Sequence, residues 1–281
     1  MLELKNDSLR IEILDPVADR HRLGTRFCWG GYVWQIHDSL HGPLLAGPEY
    51  PAEPADVFNG QGIPEILRHS VLLSGEPLTV EKGTGGLIMG VGQVDGLMKI
   101  TNPCAWSINQ SPASLACSTR DQALGWGYEL TRQLTLEARR LTSRTTLANT
   151  GGRTLPVHWF AHPFFPLVDG TLICQLNFPA TMPENPGFFL EDGLIRFRRP
   201  FRTFEENQFV MLEIGPDTPF DATLSHPTLD GIRMTGDFTL ARVPVWANGN
   251  TFSIEPYIHR SLEPGEATGW SLTYDFRREI P

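Results

Sequence analysis

A chain of 281 residues with 41% hydrophobic content has room for one large β domain or two ordinary ones, and enough apolar material for a sizeable core. Its formal net charge of −9 excludes a partner held by a broad basic field, so no nucleic acid is expected; a small anion held by a few local arginines is compatible with it. The 27 glycines and 23 prolines, with little sustained helical periodicity, point to short strands joined by turns.

Four cysteines, Cys28, Cys104, Cys117 and Cys174, form no CxxC pair and read as reduced, buried thiols rather than metal ligands or a redox pair. The opening MLELKNDSLRIEIL lacks the basic head and apolar run of a signal peptide, and no apolar run is long enough to cross a membrane. A cytoplasmic protein without a membrane partner is expected. No repeat or linker divides the chain, which predicts one domain over residues 1–281.

In chain order, residues 9–14 alternate and predict a strand. Residues 26–36 predict another, interrupted at Gly30-Gly31; its aromatics Trp29, Tyr32 and Trp34 are expected in the core. A proline- and glycine-rich passage over 41–68 is too broken for regular structure. Its apolar residues Leu44, Tyr50, Phe58, Ile63 and Ile66 mark it as an ordered, functional loop. Arg68 and His69 stand at its exit, with Glu65 just before. Residues 70–100 predict two strands around the turn 81–86. The glycines here are not a phosphate cradle, since no Gly-Lys-Ser/Thr and no helix pattern follow. A hairpin is expected over 105–118, turning near Ser111-Pro112. Three consecutive antiparallel strands follow, 126–137, 140–149 and 154–162, with the turn Asn149-Thr-Gly-Gly152 before the last. Further strands are expected at 171–176 and 270–276, and a hairpin of 243–246 with 251–257 around Asn248-Gly249. The arginine-rich run 196–202 reads as a solvated loop or an anion site.

The stretch Leu155-Pro-Val-His-Trp-Phe-Ala-His-Pro-Phe-Phe-Pro-Leu167 carries the chemistry. Alternate side chains of a strand share a face, so Leu155, Val157, Trp159 and Ala161 point one way and His158, Phe160 and His162 the other. Pro163 ends the ladder just after His162. Glu255 repeats this pattern: it shares a face with Ser253 and Tyr257, and Pro256 follows it. A carboxylate on a core-like strand is costly unless paired or solvated in a cleft, so Glu255 is read either as an ion-pair partner of Arg260 or as half of an acid/base pair.

The ordered set Asn149-Thr-Gly, His162-Pro-Phe-Phe, Ile254-Glu255-Pro256, Pro264-Gly-Glu266 and Trp270 resembles the galactose mutarotase (aldose 1-epimerase) superfamily, over about residues 126–276; Gly62-Ile-Pro64 resembles that family's Gly-x-Pro loop. The resemblance implies an all-β fold, a β-supersandwich with an open sugar cleft. It implies His162 as general acid toward the ring oxygen and Glu255 as general base toward the anomeric hydroxyl. It also implies a monosaccharide or sugar phosphate as partner, with no cofactor and no metal. Arg68, His69, His158, Phe164, Trp246 and Tyr257 are the candidate substrate contacts, and Phe165 a further aromatic one. The family's His-Gly-Phe segment is missing: His41-Gly42 lies too early and lacks the following context, and His69 and His158 are the other possibilities. For a phosphosugar, Arg68 and the 196–202 run would supply the clamp. A sugar-binding protein without catalysis, and a glycoside hydrolase using Glu65 with Glu255, are the alternatives. A metal site of His158, His162, His259 and Glu255 has no ligand-spacing motif behind it.

Overall fold

Along Trp126–Glu137, Arg140–Asn149 and Ala267–Arg277, side chains alternate between buried and solvent-facing, as the pattern of period two predicts. These three strands are neighbours in a ten-stranded antiparallel sheet in a computed structural model, which describes residues 1–49, 56–68, 78–168, 172–203 and 205–277. Flanking strands extend the sheet on one side through Ser114–Ala123 and Trp106–Ser111. On the other it runs through Gly231–Thr239, Pro219–Leu224, Leu172–Leu176, Leu194–Phe197 and Phe188–Glu191. Its inner face presents Leu130, Leu147, Trp270 and Leu272 to the core. Trp159, from the opposing layer, packs there against Trp270 and Phe238 at ring distances of 5.5 and 5.6 Å.

The opposing layer holds two smaller sheets. One orders Tyr257–Leu262, Leu155–Ala161 and Glu65–Leu67; the other orders Phe165–Pro166, Thr251–Ile254, Val243–Ala247, Gln208–Ile214 and Ala180–Thr181. Two four-stranded sheets, Leu2–Lys5 to Gly42–Pro43 and Val80–Glu81 to Ile100–Pro103, complete an all-β sandwich. All four cysteines are free and buried, and burial pushes the Cys28 thiol up to about 12. No helix among the described residues is long and apolar enough to cross a membrane.

Three expectations need correction. The strand expected over 26–36 exists only as Val33–Asp38. Before it, the backbone is satisfied by three separate segments: Cys28 donates to the Glu65 carbonyl (2.9 Å), Trp29 to that of Gly90 (3.0 Å), and Leu14 to that of Tyr32 (2.9 Å). The single strand expected over 251–257 is split at Glu255-Pro256, where the chain passes from the five-stranded to the three-stranded sheet. Tyr50 and the 70–77 part of the two strands expected over 70–100 lie outside the described residues; the remainder holds three strands rather than two, Val80–Glu81 pairing with Gly85–Ile88 and that strand with Gly92–Val94.

The split has a simple form. Leu155–Ala161 pairs with Tyr257–Leu262, with Phe160 opposite Tyr257. Phe165–Pro166 pairs with Thr251–Ile254, with Phe165 opposite Phe252. Both pairings keep one register, so 155–166 and 251–262 form a continuous ribbon whose hydrogen-bond ladder is broken only near Pro163 and Pro256, which have no N–H to give. Residues 62–68 flank the ribbon on one side, with Arg68 donating to the His158 carbonyl (2.8 Å), His162 to that of Pro64 (2.9 Å) and Phe164 to that of Gly62 (2.8 Å). Residues 241–247 flank it on the other, with Glu255 donating to the Pro244 carbonyl and Tyr257 to that of Arg242, each at 3.0 Å.

The turn motifs hold this ribbon in place. Asn149 donates through its amide to the carbonyls of Arg153 and Leu262, both at 2.8 Å, and so ties the 149–153 turn to one end of the ribbon. Gly265 donates to the Asn149 carbonyl (3.0 Å), which joins the Pro264-Gly-Glu266 turn to the same point. Gly62 has φ +75°, and a Cβ there would fall 2.4 Å from the carbonyl oxygens of Val33 and Trp34, so only glycine lets this loop lie beside His162.

Candidate active site

One face of the ribbon carries three successive cross-strand rungs. At the break, Pro64, His162, Glu255 and Pro244 stand side by side. The next rung is Ile66, Phe160, Tyr257 and Arg242, and the one beyond is Arg68, His158 and His259. The first rung sets an imidazole against a carboxyl across the centre, and the other two pair ring with ring. His162 Nε2 lies 3.5 Å from Glu255 Oε1. Phe160 and Tyr257 stack with ring centroids 4.2 Å apart and an interplanar angle of 4°; His158 and His259 stack at 4.2 Å and 16°.

Around the His162–Glu255 pair, Ser253 Oγ is 3.0 Å from His162 Nδ1 and Tyr257 donates its hydroxyl to Glu255 Oε2 at 3.3 Å. Phe164 stacks on the imidazole at 4.4 Å, and Trp246 meets it edge-on at 6.0 Å. Phe164 is fully buried, so it supports the ring from behind and is not on a surface that a sugar could reach; Phe165 is likewise core, opposite Phe252. Where the sequence predicts an open cleft, His162 and Glu255 sit just under the surface, 8% and 4% exposed. The surface opens at their rim, where Arg26, His158, Trp246 and His259 are half buried and Arg242 is exposed.

Burial sets the charge state of the pair. It raises the Glu255 carboxyl to about 8, against weaker downward pulls from the Tyr257 hydrogen bond and the Arg26 guanidinium. It also holds His162 well below the ordinary histidine range, and Arg26 pushes it the same way. The consequence for stability has a definite sign. A carboxyl raised on folding binds its proton more tightly in the native state, so its contribution is present below the unfolded value and is lost as pH rises through about 8. Glu255→Gln, which cannot ionise, is therefore expected to match the wild type near pH 4 and to exceed it at pH 8 by about 2–4 kcal/mol. Urea unfolding at the two pH values checks this; equal stability at both would contradict it.

Arg26 was not legible as a site residue. Its guanidinium lies over the Phe27 and Phe58 rings (4.8 and 5.8 Å) and donates to the Phe58 carbonyl at 2.9 Å, which brings its charge to bear on both His162 and Glu255. Nothing in its sequence neighbourhood marks it, because the irregular 26–32 segment brings it there from a distant part of the chain.

Other expected residues are placed as follows. Glu65, the second carboxylate of the hydrolase alternative, faces away from the rungs, toward the ten-stranded sheet. There it is in contact with Arg132 and accepts from Ser143 Oγ (2.7 Å) and Trp159 Nε1 (2.6 Å), so it cannot share a substrate with Glu255. Arg260 bonds to Thr268 rather than pairing with Glu255. In the 196–202 run, Arg198 donates to the Phe188 carbonyl (2.7 Å) and Arg199 pairs with Glu206 (3.0 Å); none of these arginines is among the charges that act on His162 or Glu255. His41 is exposed in the turn after Val33–Asp38 and its amide is held by Asp38. His69 lies outside the described residues. His158 and His259 are two rungs from His162, and the described residues contain no group of three His, Cys, Asp or Glu placed to hold a metal.

No family model matches the chain, and no curated protein does. Solved structures do match along its whole length. A galactose mutarotase related enzyme from Lactobacillus acidophilus is 14% identical over 100% of this chain and 99% of that one, with a TM-score of 0.65. A putative aldose 1-epimerase from Escherichia coli K12 is 18% identical over 97% of each chain, with a TM-score of 0.60. A galactose mutarotase-like protein from Lactobacillus casei ATCC 334 is 13% identical over 98% of this chain and 99% of that one, also at 0.60. The likeness is one of fold: this is the galactose mutarotase-like sandwich that the ordered motifs predict.

Proposed function

We propose that the protein is a carbohydrate mutarotase, which interconverts the anomers of an aldose through His162 and Glu255. The observation that carries this reading is the direct opposition of one imidazole and one carboxyl, 3.5 Å apart, where two strands break at prolines beside a rim of aromatic and polar side chains. Opening a cyclic hemiacetal needs the C1 hydroxyl proton removed and a proton delivered to the ring oxygen as the C1–O5 bond breaks. Rotation about C1–C2 and closure with the roles reversed gives the other anomer. The His162–Glu255 pair holds the one proton this exchange requires. In the buried, unliganded site that proton rests on Glu255, and its transfer to His162 gives a carboxylate base and an imidazolium acid without changing the proton count. Ser253 accepts from Nδ1–H and holds the ring plane, and Tyr257 steadies the carboxylate.

The pair is active while it carries a single proton, which fixes the pH dependence. Above about pH 8 Glu255 loses that proton and kcat/KM falls; below the depressed titration of His162 the pair gains a second proton and kcat/KM falls again. The rate of anomer exchange, followed by NMR from pH 5 to 9, is expected to be level through the neutral range and to decline above about 8. A rate that climbs through pH 8 would refute this proton inventory.

A further inference from the structure

The sheet face that carries His162 and Glu255 continues past them onto the strands Val243–Ala247 and Gln208–Ile214. Ser253, whose hydroxyl meets His162 Nδ1, stands opposite Trp246, and Trp246 stands opposite Phe209. One row on, Glu255 donates its amide to the Pro244 carbonyl, and Pro244 stands opposite Met211. The alternation along Gln208–Ile214 fits this: Val210 and Leu212 turn into the core, and Phe209, Met211 and Glu213 turn out to the site face. Trp246 is half buried and meets both His162 and Phe164 edge-on, at 6.0 and 6.3 Å; Phe209 beyond it is 50% exposed. Singly exposed apolar side chains are ordinary on a protein surface, so exposure alone assigns nothing to Phe209. What distinguishes it is its place. Only two of the exposed large apolar side chains among the described residues are aromatic, Phe58 and Phe209. Phe58 has the Arg26 guanidinium over its ring. Phe209 ends a line of aromatic side chains that starts at the His162 imidazole.

We propose that Phe209, with Trp246 and Met211 beside it, is the platform for a second sugar ring, so that the protein acts on the reducing end of a disaccharide or longer oligosaccharide. This rests on the reading of His162 and Glu255 as the anomeric end. Neighbouring strands are about 4.8 Å apart, so about 10 Å of sheet separates the strand of Glu255 from that of Phe209. That interval has room for one ring at the pair and a second beyond it. The surroundings favour a sugar over a protein partner. A stable protein interface takes about 800 Å² from each side, whereas the apolar surface here is one exposed ring with half-buried neighbours. Polar groups follow at once. Glu213 accepts from Thr181 Oγ1 at 2.8 Å, and continuing the register of Leu212 with Val243 puts it opposite the exposed Arg242. The result is an aromatic face for the C–H bonds of a pyranose, with a carboxylate and a guanidinium at its border for the hydroxyls.

The test is titration calorimetry on the whole protein, with anomer exchange read by NMR in the same samples. Glucose is compared with sophorose, laminaribiose, cellobiose, maltose and lactose, all of which end in glucose, and galactose with galactobiose. At least one disaccharide is expected to bind about tenfold or more tighter than its reducing-end monosaccharide, the effect of one stacked ring. Phe209→Ala should bring that ratio close to one, and Phe209→Trp should keep it. Phe209 is exposed, so both variants should keep the wild-type unfolding midpoint. No disaccharide tighter than its monosaccharide, or a ratio that Phe209→Ala leaves in place, overturns the proposal. A dimer in sedimentation that Phe209→Ala dissociates, with sugar affinities unmoved, overturns it in favour of a second copy of the chain on this face. A disaccharide preference that depends on Phe209, without anomer exchange of any sugar, would retain the platform and remove the mutarotase reading; exchange of monosaccharides with no disaccharide preference would do the reverse.

Discussion

His162→Ala and Glu255→Gln should each lower the catalysed exchange of sugar anomers by about 10²–10⁴-fold, because each removes one of the two groups between which the single proton moves. The losses should not add. The pair acts as a unit, so the double variant is expected to be no slower than the worse single variant by more than about tenfold. Both substitutions leave the sheet register alone, since the backbone bonds of His162 to Pro64 and of Glu255 to Pro244 do not involve the side chains. The variants should therefore remain folded, and Glu255→Gln should be the more stable protein at pH 8. Near-normal exchange in either single variant would remove that residue from the mechanism.

The second large effect is structural. Arg132, on the ten-stranded sheet, reaches across the core to Glu65 on the strand beside the ribbon, and both side chains are fully buried. Burial lowers the arginine's proton affinity, but the Glu65 carboxylate outweighs it and holds the guanidinium charged. Arg132 also donates to Ser143 Oγ at 3.0 Å and binds Thr145, and Glu65 accepts from Trp159 at 2.6 Å. Arg132→Met would strand the carboxylate in the core and is expected to cost about 3–5 kcal/mol. The double variant Arg132→Met/Glu65→Leu should recover much of that loss, because no unpaired charge is left. Guanidinium unfolding of the three proteins measures this. A double variant as unstable as the single one would show that the pair does more than neutralise itself. Because Glu65 anchors the strand that places Pro64 beside His162 and Arg68 beside His158, the same core pair fixes the geometry of the candidate site.

What the sequence made legible follows from where period two survives. The strands 126–137 and 140–149 were predictable to the residue, because one face packs on the core and the other meets solvent. The strand Gln208–Ile214 was not, because Phe209, Val210, Met211 and Leu212 are consecutive apolar residues and only Val210 and Leu212 are buried. Pro219–Leu224 keeps period two, with Phe220, Ala222 and Leu224 buried, but it is short and opens on a proline, so the alternation alone did not mark it. Within the candidate site, His162 and Glu255 shared a visible pattern: a titratable residue on a polar strand face, followed at once by proline. The structure gives that pattern its cause, because the two prolines interrupt the same ribbon at the same place. Arg26 and Ser253 carried no comparable signal. Arg26 comes from irregular backbone, and Ser253 gains its contact with His162 only once Thr251–Ile254 lies alongside Phe165–Pro166. The openness of the site was overestimated, since sequence alternation shows which face a side chain takes and not how much of that face is covered.

The most direct test of the account is magnetisation-exchange NMR on equilibrated anomers of glucose, galactose, their 6-phosphates and their uronic acids, with a trace of the wild-type protein. The account predicts, for at least one of these sugars, an α–β exchange rate above the buffer rate that grows in proportion to protein concentration and is absent with His162→Ala. Exchange at the buffer rate for every sugar, from a protein that calorimetry shows to bind one of them, would contradict it and leave a binding site without chemistry.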